Sequence, residues 1–109
     1  MTIRKLVCEV YKVSSYFPST EKYNLAQQVQ RAALSVKLTF AEGASRRSIA
    51  ERNRYFEIAR GSVVELGAAF ETAIDLGYVQ IDNLMTLSML LNKCFAMITN
   101  ISNSVNKQS

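Results

Sequence analysis

No histidine occurs among the 109 residues. That absence removes Ser-His and Cys-His catalysis, which need an imidazole base, and zinc sites built on histidine. Cys8 and Cys94 are the only cysteines. They lie far apart, outside any CxxC pair, and read as buried free thiols that behave as small hydrophobes. One proline and four glycines leave little room for a turn-rich all-β fold. Charged or polar residues interrupt the apolar stretches before membrane-spanning length, and Glu9 breaks the short apolar run near the N-terminus that a signal peptide would need. The expectation is one soluble, cytoplasmic domain over residues 1–109, with no membrane partner.

The catalytic inventory is equally thin. Glu42, Glu51, Glu57 and Glu65 show no ExxH spacing, and no glycine-rich phosphate loop or nucleophile beside a base is present. Ion pairs with the arginines are the expected use of these carboxylates. The sequence points away from an enzyme, with no cofactor and no metal.

What is present is apolar periodicity at helical spacing. Ile3, Leu6, Val7, Val10 and Val13 follow the i, i+3, i+4, i+7 template and stop near Phe17-Pro18. Asn24 with Gln27 has the form of a capping box, and Gly43 is a natural left-handed stop. Ser48 with Glu51 is a second capping box, Gly77 a second stop, and Asp82 a further N-cap. Helices are expected at about 2–16, 24–42, 48–76 and 82–102, with residues 103–109 frayed. Short links between long helices give an all-α, up-down antiparallel four-helix bundle.

Two of these helices carry more apolar surface than one core needs. In the second, Leu25, Val29, Ala32, Val36 and Phe40 make one stripe, while Leu34, Leu38 and Ala41 make another. In the fourth, Leu84, Leu87, Leu91, Cys94, Phe95, Ile98 and Ile101 leave Met85, Met89 and Ala96 outside, and Lys93 is the only charge between Asn83 and Asn106. Contiguous apolar patches of this kind mark interfaces, so a homo-oligomer is expected. The small residues of the third helix, Gly61, Ser62, Gly67 and Ala68 among them, imply close approach by a neighbouring helix.

The net charge of +4 is unevenly spread. Residues 25–61 carry Arg31, Lys37, Arg46, Arg47, Arg52, Arg54 and Arg60 against three glutamates, whereas residues 62–82 carry only acids. Arg46 and Arg47 precede the third helix, whose N-terminal N–H groups favour anions. With Arg31, Lys37 and Arg54 they are candidates for contact with RNA or DNA phosphates. The competing reading makes them the polar corner of a helical hairpin. No stacking signature or helix-turn-helix spacing accompanies them.

The stretches FPSTEKYNLAQQVQRAALSV, AEGASRRS and IARGSVVELGAAFETAIDLGY together resemble the bacterial four-helix-bundle family encoded by intervening sequences in 23S ribosomal RNA genes. The combination that carries the likeness is Phe17-Pro18 with Glu21, Tyr23 and Leu25; Gln28 with Ala32 and Ser35; Ala41-Glu42-Gly43 with Arg46; and Gly61-Ser62 with Glu65-Leu66. Thr39-Phe40 departs from it, standing where the family usually has asparagine and isoleucine. The chain is also similar to the accessory protein of diversity-generating retroelements. The resemblance implies a ring, a homopentamer, that binds nucleic acid without catalysis. The alternative it implies is an adaptor for a polypeptide such as a reverse transcriptase or a ribosome-associated factor. It also marks Glu42, Gly43, Gly61, Ser62 and Glu65 as structural motif positions, with Glu65 or Glu42 expected to hold Arg46 or a neighbouring arginine.

Overall fold

The structure is a computed structural model that describes residues 1–107. It contains four α-helices: α1 (Thr2–Ser14), α2 (Leu25–Ser45), α3 (Ile49–Asp75) and α4 (Met85–Lys107), with short 3-10 turns at Ser19–Glu21 and Ile81–Leu84. Each helix packs on its neighbours in sequence, and α1 closes the square against α4. The result is the all-α up-down bundle, 46 × 24 × 21 Å along its principal axes.

The core follows the periodicity. Ile3, Leu6, Val10 and Val13 from α1 meet Val29, Ala33 and Val36 from α2, Ala59, Leu66 and Phe70 from α3, and Leu87, Cys94 and Ile98 from α4. Burial excludes water from the Cys94 thiol and pushes its pKa up to about 11. Cys8 differs from the expectation: it sits on the solvent side of α1 and is exposed.

Helix ends depart from the sequence reading for local reasons. α1 stops at Ser14, before the expected residue 16, because Tyr16 and Phe17 donate to carbonyls only three residues back as Phe17 turns into the core. Asn24 stands at the N-cap of α2, but its side chain makes no capping bond. Glu21 takes that role, accepting from the Leu25 N–H at 3.0 Å. α2 runs through Gly43 to Ser45, so Gly43 is not a left-handed stop. Gly43 is instead needed for space: a Cβ there would lie 2.8 Å from Phe56 Cε1 and 3.1 Å from Tyr55 Cβ.

Gly77 does end α3 as expected. Its φ is +76°, with Tyr78 N–H donating to Ala73 O and Gly77 N–H to Ile74 O, both at 2.9 Å. This is the paired closure of a Schellman motif. Ser48 caps α3 by accepting from the Glu51 N–H at 3.2 Å. α4 begins later than Asp82, because Gln80 and Asn83 cap each other around the 3-10 turn. It also outlasts residue 102, since Ser102 and Val105 continue the buried stripe. Of the tail expected to fray, residues 103–107 are helical, and 108–109 lie outside the described residues.

One segment, Ile81–Val105, has the length and mean hydropathy (1.3) of a membrane-crossing helix, which the sequence reading did not anticipate. Its Leu84, Leu87, Leu90, Cys94 and Ile98 are buried in the bundle, while Met85 and Met89 remain exposed.

Candidate nucleic-acid interface

The α2–α3 corner is built by one arginine acting as a strut. α2 ends at Ser45, Arg46 adopts extended backbone geometry, and its guanidinium folds back onto Glu42 at 2.7 Å. The same guanidinium lies 5.2 Å from the Tyr55 ring centroid, with Nη2 3.5 Å from the Tyr55 hydroxyl. Its pKa is raised, chiefly by the hydrogen bond to Glu42 and then by Tyr55. Arg52 Nε donates to the Arg46 carbonyl at 2.8 Å, which ties the first turn of α3 to the link. Glu42 and Gly43 of the family pattern are thereby explained, one as the partner of Arg46 and the other as the slot for Phe56, which stacks against Phe40 at 5.5 Å.

The α3 N-terminus is occupied from within. Ser48 accepts one of its N–H groups, and Glu51 places a carboxylate in its first turn. Any anion at this corner would therefore meet side chains before it met the helix end. Arg47 and Arg54 are both exposed, and among the described residues neither has a carboxylate within ion-pair distance. The Arg54 guanidinium lies 5.7 Å from the Tyr55 ring centroid. Tyr55 thus organises two arginines. Its place beside Arg54 in the sequence was visible, but its contact with Arg46 depends on the hairpin closing.

The five cationic candidates do not form one patch. Arg46, Arg47 and Arg54 share the corner, joined by Arg52. Lys37 lies about 13 Å back along α2, and Arg31 about 22 Å back, at 1.5 Å per residue. Lys37 borders a small apolar pocket between α1 and α2 together with Arg4, a cation the sequence reading did not select. Arg31 instead borders a shallow polar depression with Glu65.

Glu65 is therefore far from Arg46, more than ~20 Å along α3, and of the two carboxylates expected to hold Arg46 it is Glu42 that does so. Ser62, the other polar motif position, donates to Ser35 Oγ at 2.9 Å and pins α3 to α2. Thr39 does not substitute for an interhelical amide, because its hydroxyl donates to the Ser35 carbonyl within α2. Gly61 and Gly67 face open space: among the described residues, a Cβ at either would meet no atom of another element within 4 Å. The close approach they were expected to permit is not made within one chain.

A second polar cluster holds the other end of the bundle. Glu21 accepts from Leu25 N–H with one oxygen and from the Tyr78 hydroxyl with the other, at 3.0 and 3.1 Å. Phe17 packs beneath it, its centroid 5.9 Å from those of Phe70 and Tyr78. Charge is consequently segregated along the bundle: arginines gather at the α2–α3 corner, while Glu71, Asp75 and Asp82 gather toward the α3–α4 turn.

Among described residues, no group of three or more cysteine, aspartate or glutamate side chains could hold a metal ion. Compared with known families, the chain matches the family model described as 23S rRNA-intervening sequence protein over residues 2–100. No curated protein matches it.

Proposed function

The chain belongs to the 23S rRNA-intervening sequence protein family, and from that premise we propose that it is a non-enzymatic scaffold, assembled from copies of itself, that binds nucleic acid at its basic corner. The observation that carries the reading is the division of labour among the arginines. Arg46 and Arg52 are committed to holding the corner, whereas Arg47 and Arg54 are exposed without carboxylate partners. Such side chains neutralise phosphates without reading bases, so binding is weakly specific and strongly salt-dependent. We take the assembly to have five copies, as the family resemblance implies. Five copies at +4 each would concentrate a formal charge of about +20 on one particle, enough to steer a polyanion.

Light scattering of the purified protein, with and without a structured RNA at low and moderate salt, tests this. The expected result is an oligomeric mass that gains RNA at low salt and sheds it as salt rises. An oligomer that ignores RNA and DNA at every salt concentration overturns nucleic-acid binding. In that case the uncovered apolar side chains Leu38, Met85 and Met89 favour the adaptor reading, with a polypeptide as the partner.

A further inference from the structure

Two apolar features on different faces of the bundle have no cover from the described residues. The first is a groove of about 610 Å³ between α3 and α4, with Val64, Gly67, Met85 and Phe95 along it; Glu71 is its only charged lining residue. The second is a ridge on α2 formed by Leu34 and Leu38, 39% and 60% exposed. At about 100° per residue the ridge points away from the buried stripe of Val29 and Val36. Arg31 and Lys37 flank it, and α2 carries no acid before Glu42.

These features match in shape, charge and height. A convex apolar ridge bordered by cations faces outward on α2, and a concave apolar groove bordered by a carboxylate lies at α3–α4. Since α2 and α4 lie diagonally in the bundle, the two features belong to separate faces, and no chain can fill its own groove with its own ridge. The Ser62–Ser35 hydrogen bond sets the ridge level with the middle of α3. The Arg60 guanidinium, 5.7 Å from the Phe95 ring centroid, sets Phe95 at that same level. Rotation about an axis parallel to the bundle would therefore carry one feature onto the other without a shift along it. Gly67 adds an independent sign: a glycine inside a helix weakens it, and none of the described residues fills the space a side chain there would take.

We propose that the α3–α4 groove is the seat for the α2 ridge of a second copy of this chain. Leu34 and Leu38 enter beside Val64, Gly67 and Phe95, and Arg31 lies on the Glu71 side of them. The proposal rests on the reading that the chain assembles with itself, and it adds which surfaces meet. Because the surfaces differ, the contact is heterologous, and repeating it generates a ring if the rotation closes.

Two variants at open positions test it: Leu38→Asp on the ridge and Gly67→Leu in the groove. Circular dichroism checks that each is folded, and light scattering gives the mass. Each alone should be monomeric. An equimolar mixture should form a one-to-one dimer and nothing larger, because Gly67→Leu keeps its ridge and Leu38→Asp keeps its groove. Should either variant fail to fold, Leu38→Cys and Val64→Cys, each in a Cys8→Ser background, are mixed with a short bismaleimide; cross-linking across the pair but within neither alone supports the contact. Retention of the wild-type mass by both folded variants, a mixture that stays monomeric, or absence of the cross-link overturns the proposal while an oligomeric wild type preserves the scaffold reading. A wild-type protein that is itself monomeric overturns both.

Discussion

The hydroxyl of Tyr78 donates to the carboxylate of Glu21 at 3.1 Å, across 57 positions of chain. The other Glu21 oxygen caps α2 through Leu25 N–H. One carboxylate thus fastens the α1–α2 link to the α3–α4 turn, at the end of the bundle opposite the arginine corner.

Replacing Glu21 by Gln should lower the melting temperature by a few degrees, since a single lost contact shifts a domain of this size by about that much. Tyr78→Phe should do the same near neutral pH. The hydrogen bond to Glu21 raises the Tyr78 pKa above its usual 10.0, so its contribution is fully present below that pH and is lost as pH rises through the folded-state value. The difference between wild type and Tyr78→Phe should therefore shrink in strong alkali. Ultraviolet titration should also show the late ionisation of Tyr78, and that delay should shrink in Glu21→Gln. Coincident titration of wild type and Glu21→Gln would exclude the contact.

Gly43 and Gly61 make opposite predictions. Gly43→Ala drives a methyl into the Phe56 ring, which is 3% exposed and backed by Phe40. Overpacking of that kind costs about 1–3 kcal/mol, which outweighs the gain of up to ~1 kcal/mol in helix propensity. Gly61→Ala meets no atom within 4 Å and keeps the propensity gain. Urea denaturation should show the first destabilised by about 1 kcal/mol and the second stabilised by about 0.5–1 kcal/mol. Equal shifts of the same sign would contradict the packing at the corner.

The two thiols should separate cleanly. Cys8 is exposed, whereas Cys94 is buried with its pKa pushed up to about 11 from 9.0. A maleimide should label one site in the native protein and a second only after unfolding. The thiol of Cys94 stays protonated in the fold after it would ionise in the unfolded chain, so its share of stability is complete below pH 9.0 and declines between 9.0 and about 11. Cys94→Ala should abolish that part of the alkaline decline. Rapid native labelling of both thiols would count against the burial.

Charge reversal separates the two classes of arginine. Arg47→Glu with Arg54→Glu should weaken RNA binding at low salt, flatten its salt dependence by roughly one logarithmic unit per lost phosphate contact, and leave the melting temperature within a degree or two, as expected for exposed positions. Arg46→Glu should instead destabilise the fold, because it sets like charge against Glu42 and removes the strut beneath Tyr55. Titrations at several salt concentrations, run beside melting curves, distinguish the two behaviours. Equal loss of stability in both variants would remove the division of labour on which the proposed function rests.

The sequence by itself determined the four helices and their buried faces, because a 3.6-residue period of apolar side chains needs no knowledge of what lies opposite. Ile3, Leu6 and Val10 were legible in this way, as were Val29 and Val36, and so was the Gly77 stop, whose left-handed geometry is a local property of one residue. Arg46 was legible as a corner residue from its place between the Gly43 break and the Ser48 cap, but its partner was not. Only the tertiary structure decided what depends on a second element. Gly43 read as a stop because glycine has the same local signature in both roles, yet it is a slot whose cause is a ring on α3. Glu21 displaced Asn24 as the cap because its other oxygen is held by Tyr78, which local sequence does not contain. Arg31 and Lys37 left the basic corner because a rigid helix carries residues 1.5 Å apart along its axis, so membership of one charged segment does not bring side chains together. The period set which side of each helix is buried; the pairing of the helices set which polar groups meet.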